Sequence, residues 1–109
     1  MLISEPVDRG FTIANGLRVP KSFADKLILK ILYENNGTAI SVSDTEINDS
    51  LQEIARLEGM FVAPEGAALW AALKRLKSEN RILSHEKVVL INTGTGYKYL
   101  ENIFAGENI

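Results

Sequence analysis

The sequence predicts an α/β domain in which helices pack on a partial parallel sheet. Two short apolar runs are typical of buried strands, helical patterns with their own start and stop signals surround them, and no hairpin signal joins them. Strands separated by helices are connected by right-handed crossovers, which makes them parallel. Because two strands are near the lower limit for an independent sheet, we expect residues 1–109 to be a single domain that belongs to a larger sheet.

The first helix is predicted shortly after Pro20. Its apolar residues recur at helical spacing on one face: Ala24, Leu27, Ile28, Ile31 and Leu32. Asn36 and Gly37 supply a left-handed stop. Before this helix, residues 11–13 predict only a short extended piece between two glycines.

A strand is predicted at residues 38–42, which are rich in β-branched side chains. A second helix follows, because Ser43 and Glu46 have the spacing of a capping box. Gly59 is its expected stop. Pro64 and Glu65 then indicate the first turn of a third helix, which is rich in alanine and ends in basic residues.

The second predicted strand is the apolar run at residues 88–91, which has the pattern of a strand covered on both faces. Residues 80–86 connect it to the third helix, and a short helical tail is expected at residues 97–104. His85 lies in that polar connector and is expected to be a solvated loop residue.

Composition excludes several classes of function. Twelve basic and fourteen acidic residues give a net charge of -2, which disfavours nucleic acid and anionic membranes as partners. The lack of cysteine and the single histidine exclude structural zinc, iron–sulfur clusters, disulfides and thiol catalysis. No signal peptide or long apolar run is visible, so we expect a cytoplasmic protein.

The loop at residues 92–96 is the sharpest candidate site, because it follows the carboxyl end of a predicted parallel strand, where open α/β sheets bind ligands. Gly94 and Gly96 permit close backbone approach, and the threonines at 93 and 95 offer hydroxyls. The loop is not a dinucleotide fingerprint, since Tyr99 takes the third glycine position, and it is not a P-loop. On spacing alone, a tight turn that needs glycine dihedrals explains it equally well.

Two weaker candidates lie elsewhere. Residues 64–66, Pro-Glu-Gly, could orient an amine or a neighbouring loop, although a helix-start acid favoured by the dipole explains them too. In residues 14–20, Gly16 could let the backbone lie against a flat ligand and Arg18 could meet an anion. A plain loop is the alternative there.

Four blocks of the sequence, residues 14–20, 41–47, 58–68 and 88–99, resemble in order and spacing the carboxy-terminal part of the threonine synthases. The resemblance implies the tryptophan-synthase-β-like fold, that is, a fragment of the fold type II pyridoxal-phosphate large domain. It also implies that the parent enzyme is a lyase that uses pyridoxal phosphate to convert O-phosphohomoserine and water into threonine and phosphate. By the same match, Thr93 supplies a hydroxyl to the pyridine nitrogen of the cofactor. Gly94, Ala14, Asn15 and Gly16 are then expected beside the cofactor.

Two family features are not recognisable in this sequence: the lysine motif that binds the cofactor covalently and the glycine-rich loop that holds its phosphate. Lys21, Lys26 and Lys30 lie instead at the start of an amphipathic helix. We therefore expect no activity from this chain alone, the remainder of a threonine synthase chain as its partner, and self-association through Trp70 or residues 88–91.

Two alternatives stay open at this stage. The first is a related pyridoxal-phosphate lyase, such as a cysteate synthase or a serine/threonine dehydratase. The second is a non-catalytic α/β binding module that functions by itself.

Overall fold

A computed structural model describes residues 3–7 and 10–103 of the chain. Contacts within the chain divide it into two units, Met1–Ser41 and Val42–Ile109. The four α-helices of the described residues are α1 (Asp25–Glu34), α2 (Asp44–Glu58), α3 (Pro64–Ser78) and α4 (Leu100–Ile103). Two short 3₁₀ helices accompany them, at Asn15–Leu17 and Gly96–Tyr99.

The first unit is built around α1, whose predicted stop is confirmed. Asn36 takes a left-handed φ of 51°, and the amide of Gly37 donates to the carbonyl of Leu32 at 2.8 Å. None of the residues of α1 is buried, and its apolar face stays open, with Ile28 and Ile31 about half exposed. An amphipathic helix gains most of its stability from a covered face, so α1 lacks its usual support within the described residues.

The second unit contains α2, and both predicted end signals of this helix are confirmed. The amide of Glu46 donates to Ser43 Oγ at 3.2 Å, and the amide of Ser43 donates to a carboxylate oxygen of Glu46 at 2.7 Å. This is the reciprocal pairing of a capping box. At the other end, Gly59 has a φ of 64°, in the left-handed region that favours glycine.

Helices α2 and α3 pack against each other through small and medium-sized side chains. The buried hydrophobic residues of this unit are Ile47, Leu51, Val62, Ala63, Ala67 and Ala71. Pro64 begins α3 at its first position, as predicted. At the flank of the pair, Arg75 of α3 binds Glu46 of α2. The alanines let the helices approach closely, and the ion pair joins them at this flank.

The predicted parallel sheet is not observed, and the prediction of strands at residues 38–42 and 88–91 is wrong for this chain. The described residues contain no strand, only an isolated antiparallel bridge between Val62 and Thr95. Residues 11–13 likewise form a loop. A strand exists only when a neighbour pairs with its amides and carbonyls, and Val89 and Ile91 are instead 85% and 73% exposed.

The predicted helical tail is present. It begins as the second 3₁₀ helix and continues as α4, while residue 104 lies outside the described residues. Among the described helices, none combines the length and apolar character needed to cross a membrane.

Candidate functional site

The loop at residues 92–96 lies against the short segment that leads into α3. The amide of Ala63 donates to the carbonyl of Gly94 at 3.2 Å, and the amide of Gly96 donates to the carbonyl of Phe61 at 3.0 Å. These two bonds flank the antiparallel bridge between Val62 and Thr95. The loop backbone is therefore fixed by residues that lie about thirty positions earlier in the chain.

The two threonines of the loop have different roles. Thr95 Oγ1 donates to the carbonyl of Phe61 at 3.4 Å and accepts from the amide of Tyr97 at 3.4 Å, which caps the second 3₁₀ helix. Thr93 is exposed, and its hydroxyl makes no hydrogen bond to another described residue. Of these two threonines, Thr93 is the one that is exposed to solvent.

Packing requires a glycine at position 96. A Cβ at Gly96 would lie 2.6–2.8 Å from three carbons of the Phe61 ring. A Cβ at Gly94 would meet Ala63 Cβ at 3.4 Å, and one at Gly66 would overlap Oδ1 of Asn92. Neither Gly94 nor Gly96 has a positive φ, so the tight-turn explanation from glycine dihedrals does not apply.

The Pro-Glu-Gly segment at residues 64–66, the second candidate site, meets this loop. The hydroxyl of Tyr99 donates to Oε1 of Glu65 at 3.0 Å, and both residues are half-buried. The hydrogen bond to Glu65, together with partial burial, raises the pKa of Tyr99 above its ordinary value. Both interpretations of Glu65 agree with this geometry, since the acid lies in the first turn of α3 and also binds the segment after the loop.

Sequence reasoning missed the aromatic residues around the loop. The rings of Phe61 and Tyr97 meet edge to face, with centroids 5.1 Å apart and an interplanar angle of 85°. In the sequence, Tyr99 stands out only because it occupies the third glycine position of the dinucleotide pattern. The signal that could have found them is the pair of tyrosines, two positions apart, directly after the glycine-containing turn.

The remaining predicted site residues lie in the first unit. Ala14 is buried, and Asn15 and Gly16 begin a 3₁₀ turn. Arg18 is already engaged within this unit, since its Nε donates to the carbonyl of Thr12 at 2.6 Å and its guanidinium lies 4.2 Å from the centre of the Phe11 ring. Its predicted contact with an anion would require these interactions to be exchanged. His85 is exposed in a turn, as expected.

The residues of the second unit fit one part of a pyridoxal-phosphate site. The cofactor is a flat ring with a nitrogen that needs a polar partner. The exposed Thr93 hydroxyl, on a backbone fixed by two hydrogen bonds, is a suitable partner. All seven lysines are exposed, whereas a covalent lysine requires a desolvated setting. Within the described residues, no group of His, Asp or Glu side chains is suited to holding a metal ion.

Comparison with known proteins identifies the family of the chain. Residues 3–94 match the family model described as "Pyridoxal-phosphate dependent enzyme". The chain is 38% identical over 87 residues to the threonine synthase of Methanocaldococcus jannaschii, covering 80% of this chain and 22% of the relative. It is 37% identical over 89 residues to that of Methanosarcina acetivorans, covering 82% of this chain and 22% of the relative.

A more distant relative gives the same result. The threonine synthase of Mycobacterium tuberculosis is 30% identical over 98 residues, which is 90% of this chain and 27% of the relative. The chain thus spans about a quarter of the length of the curated relatives it matches. Because the family model matches most of its length, the chain belongs to the family of pyridoxal-phosphate dependent enzymes.

Proposed function

We propose that the chain is the carboxy-terminal part of the cofactor-binding domain of a threonine synthase, which converts O-phosphohomoserine and water into threonine and phosphate. The observation that carries this proposal is the exposed hydroxyl of Thr93 on a loop fixed to the start of α3. Similarity to threonine synthases over 80% to 90% of the chain supports the choice of reaction.

Thr93 would hold the cofactor ring by a hydrogen bond from its hydroxyl to the pyridine nitrogen. Pyridoxal phosphate, when bound, supplies an electron sink for carbanion chemistry. A neutral hydroxyl leaves the pyridine nitrogen largely unprotonated, which makes a weaker sink than a carboxylate partner would. Gly94 would lie beside the ring.

The chain alone would be inactive, because it offers no lysine suited to covalent attachment of the cofactor. Lys26 and Lys30 lie exposed on α1, where Lys30 pairs with Glu34 at 3.8 Å, and Lys21 is exposed just before this helix. Lysines that attach a cofactor covalently are activated by a desolvated setting, which these exposed side chains lack. The covalent lysine and the phosphate-binding loop would come from the remainder of the threonine synthase chain.

The exposed apolar segments indicate how this chain would contact the remainder of the threonine synthase chain. Residues 88–91 and 38–42 have the strand composition described above, yet the first of these segments exposes Val89 and Ile91 to solvent. In the complete domain, these segments would pair as parallel strands with strands of the remainder. The open face of α1 would then be covered by the same domain.

Fragment complementation tests the proposal. This chain is mixed with the Methanocaldococcus jannaschii relative from which the matched 87 residues have been deleted, and phosphate release from O-phosphohomoserine is measured. Each piece alone is expected to release none, whereas the mixture with pyridoxal phosphate should turn yellow and release phosphate. The undeleted relative is the positive control.

One outcome of this assay would contradict the proposal. In that outcome the undeleted relative is active, but the mixture releases no phosphate even after the two pieces are refolded together. A mixture that instead deaminates serine or threonine, without releasing phosphate from O-phosphohomoserine, would replace the proposed reaction by that of a related lyase.

A further inference from the structure

The start of α3 and the segment after the Thr93 loop are joined by one side-chain contact, between Glu65 and Tyr99. The phenol hydroxyl donates to the carboxylate at 3.0 Å, across 34 positions of sequence. Glu65 is the acidic residue of the first turn of α3, where the helix dipole favours a negative charge. Pro64, the residue before it, is buried, so the carboxylate projects from a fixed position.

This contact lies after the two backbone bonds of the loop in the sequence. The carbonyl of Gly94 and the amide of Gly96 are bound to Ala63 and Phe61, so the first bond precedes the second 3₁₀ helix and the second is made by its first residue. Tyr99 is the last residue of that helix, so its bond to Glu65 fixes the far end of the same turn. Together the three contacts hold the middle of the loop, its last residue and the end of the 3₁₀ helix that follows it.

Resting on the proposed function, we infer that Glu65 and Tyr99 are positioning residues for Thr93. The carboxylate of Glu65 holds the phenol of Tyr99, and the 3₁₀ helix transmits this restraint to the loop that presents the Thr93 hydroxyl. Neither residue needs to touch the cofactor. Their role is to reduce the range of orientations that the hydroxyl samples.

Packing and hydrogen bonding can be separated in this cluster. Tyr97 holds the loop by an aromatic contact with Phe61, whereas Tyr99 holds it by its hydroxyl. Removing the hydroxyl of Tyr99 deletes the bond and keeps the ring. The pKa of Tyr99 is raised mainly by the bond to Glu65, which gives the pair a spectroscopic signature of its own.

Amide hydrogen exchange in this 109-residue chain tests the inference without cofactor or substrate. In Tyr99→Phe and in Glu65→Gln, the amide of Gly96 is expected to exchange about fivefold faster, because a hydrogen bond contributes roughly 1 kcal/mol. The amide of Gly59, which donates to Ala55 at the end of α2, is the internal reference and should not change. Tyr97→Phe is the matched control variant, since it also removes one phenol hydroxyl.

Two further readouts establish that the effect belongs to the pair. Glu65→Gln should lower the pKa of Tyr99 in an NMR titration of the tyrosine rings, because the neighbouring negative charge is gone. In the double variant Tyr99→Phe, Glu65→Gln, the amide of Gly96 should exchange no faster than it does in Tyr99→Phe alone.

The inference is overturned if exchange at Gly96 is unchanged in both single variants, or if exchange at Gly59 rises equally. Because no cofactor enters this experiment, either result would leave the proposed function standing. Conversely, a complementation mixture that releases no phosphate would not contradict the restraint of the loop by Glu65 and Tyr99.

Discussion

The indole Nε1 of Trp70 donates a hydrogen bond to Oε2 of Glu53 across 2.9 Å, and Nζ of Lys74 lies 2.5 Å from the same oxygen. One carboxylate of α2 therefore binds two side chains of α3. The pKa of Glu53 is lowered, first by the bond from Lys74 and then by that from Trp70. This arrangement links the two long helices beside their alanine-rich contact.

We predict that Glu53→Gln lowers the thermal midpoint of the chain and changes the fluorescence of Trp70. The amide keeps one acceptor but loses the charge that binds Lys74. Trp70 is the only tryptophan of the chain, so its emission reports this contact alone. Glu58→Gln, at the end of the same helix, is the matched control and should leave both signals unchanged. Equal effects of the two variants would contradict the prediction.

Glu46 is predicted to make the helix pair sensitive to acid. Its pKa is lowered to about 2, chiefly by the amide of Ser43 and next by Arg75. Because the folded pKa lies below the unfolded value, the stabilisation is fully present above about pH 4.5. It is lost as the pH falls towards 2. Urea unfolding across this range should show a steeper loss of stability in the unaltered chain than in Glu46→Gln; parallel pH profiles would contradict the prediction.

The glycine pair of the loop gives a matched comparison. Gly96→Ala should destabilise the chain by about 2 kcal/mol, because its Cβ would press into the Phe61 ring and overpacking costs roughly 1–3 kcal/mol. Gly94→Ala should cost clearly less, since its Cβ would meet only Ala63 at ordinary contact distance. Urea unfolding of both variants measures their free energies of unfolding. A larger loss of stability in Gly94→Ala than in Gly96→Ala would contradict the packing of Gly96 against Phe61.

The exposed apolar run at residues 88–91 is predicted to make the isolated chain self-associate. Trp70 is half-buried and bound to Glu53, so we expect residues 88–91 to be the contact. Sedimentation should show an apparent mass that rises with concentration and falls towards that of a monomer in Ile91→Lys. Leu57→Lys introduces the same charge at an exposed leucine of α2 and should not have this effect. A monomer at every concentration would contradict the prediction.

Local signals in the sequence predicted the helices well. The capping box of Ser43 and Glu46, the left-handed stop at Gly59 and the proline at the start of α3 each depend on residues within one turn. Helix ends of this kind can be predicted from a short window of sequence. The bounds of α2 and α3 therefore agree closely with the expectations.

Non-local pairing could not be predicted in the same way. The composition of residues 88–91 favours a strand, but a strand also needs a neighbour, and the sequence of one segment does not reveal whether the neighbour is present. The same limit applies to the site. Thr93 was identified from its loop and from a family resemblance, whereas the bond between Glu65 and Tyr99 joins residues 34 positions apart.

The most direct test of the account is the cofactor spectrum and turnover of the complemented enzyme carrying Thr93→Ala or Thr93→Ser. Loss of one hydrogen bond at the ring nitrogen is expected to change the cofactor absorbance and to reduce turnover by about tenfold, which corresponds to roughly 1.4 kcal/mol. Thr93→Ser keeps the hydroxyl and should keep both properties near those of the unaltered mixture. If Thr93→Ala assembles with an unchanged spectrum and unchanged turnover, Thr93 does not contact the cofactor and the central claim is wrong.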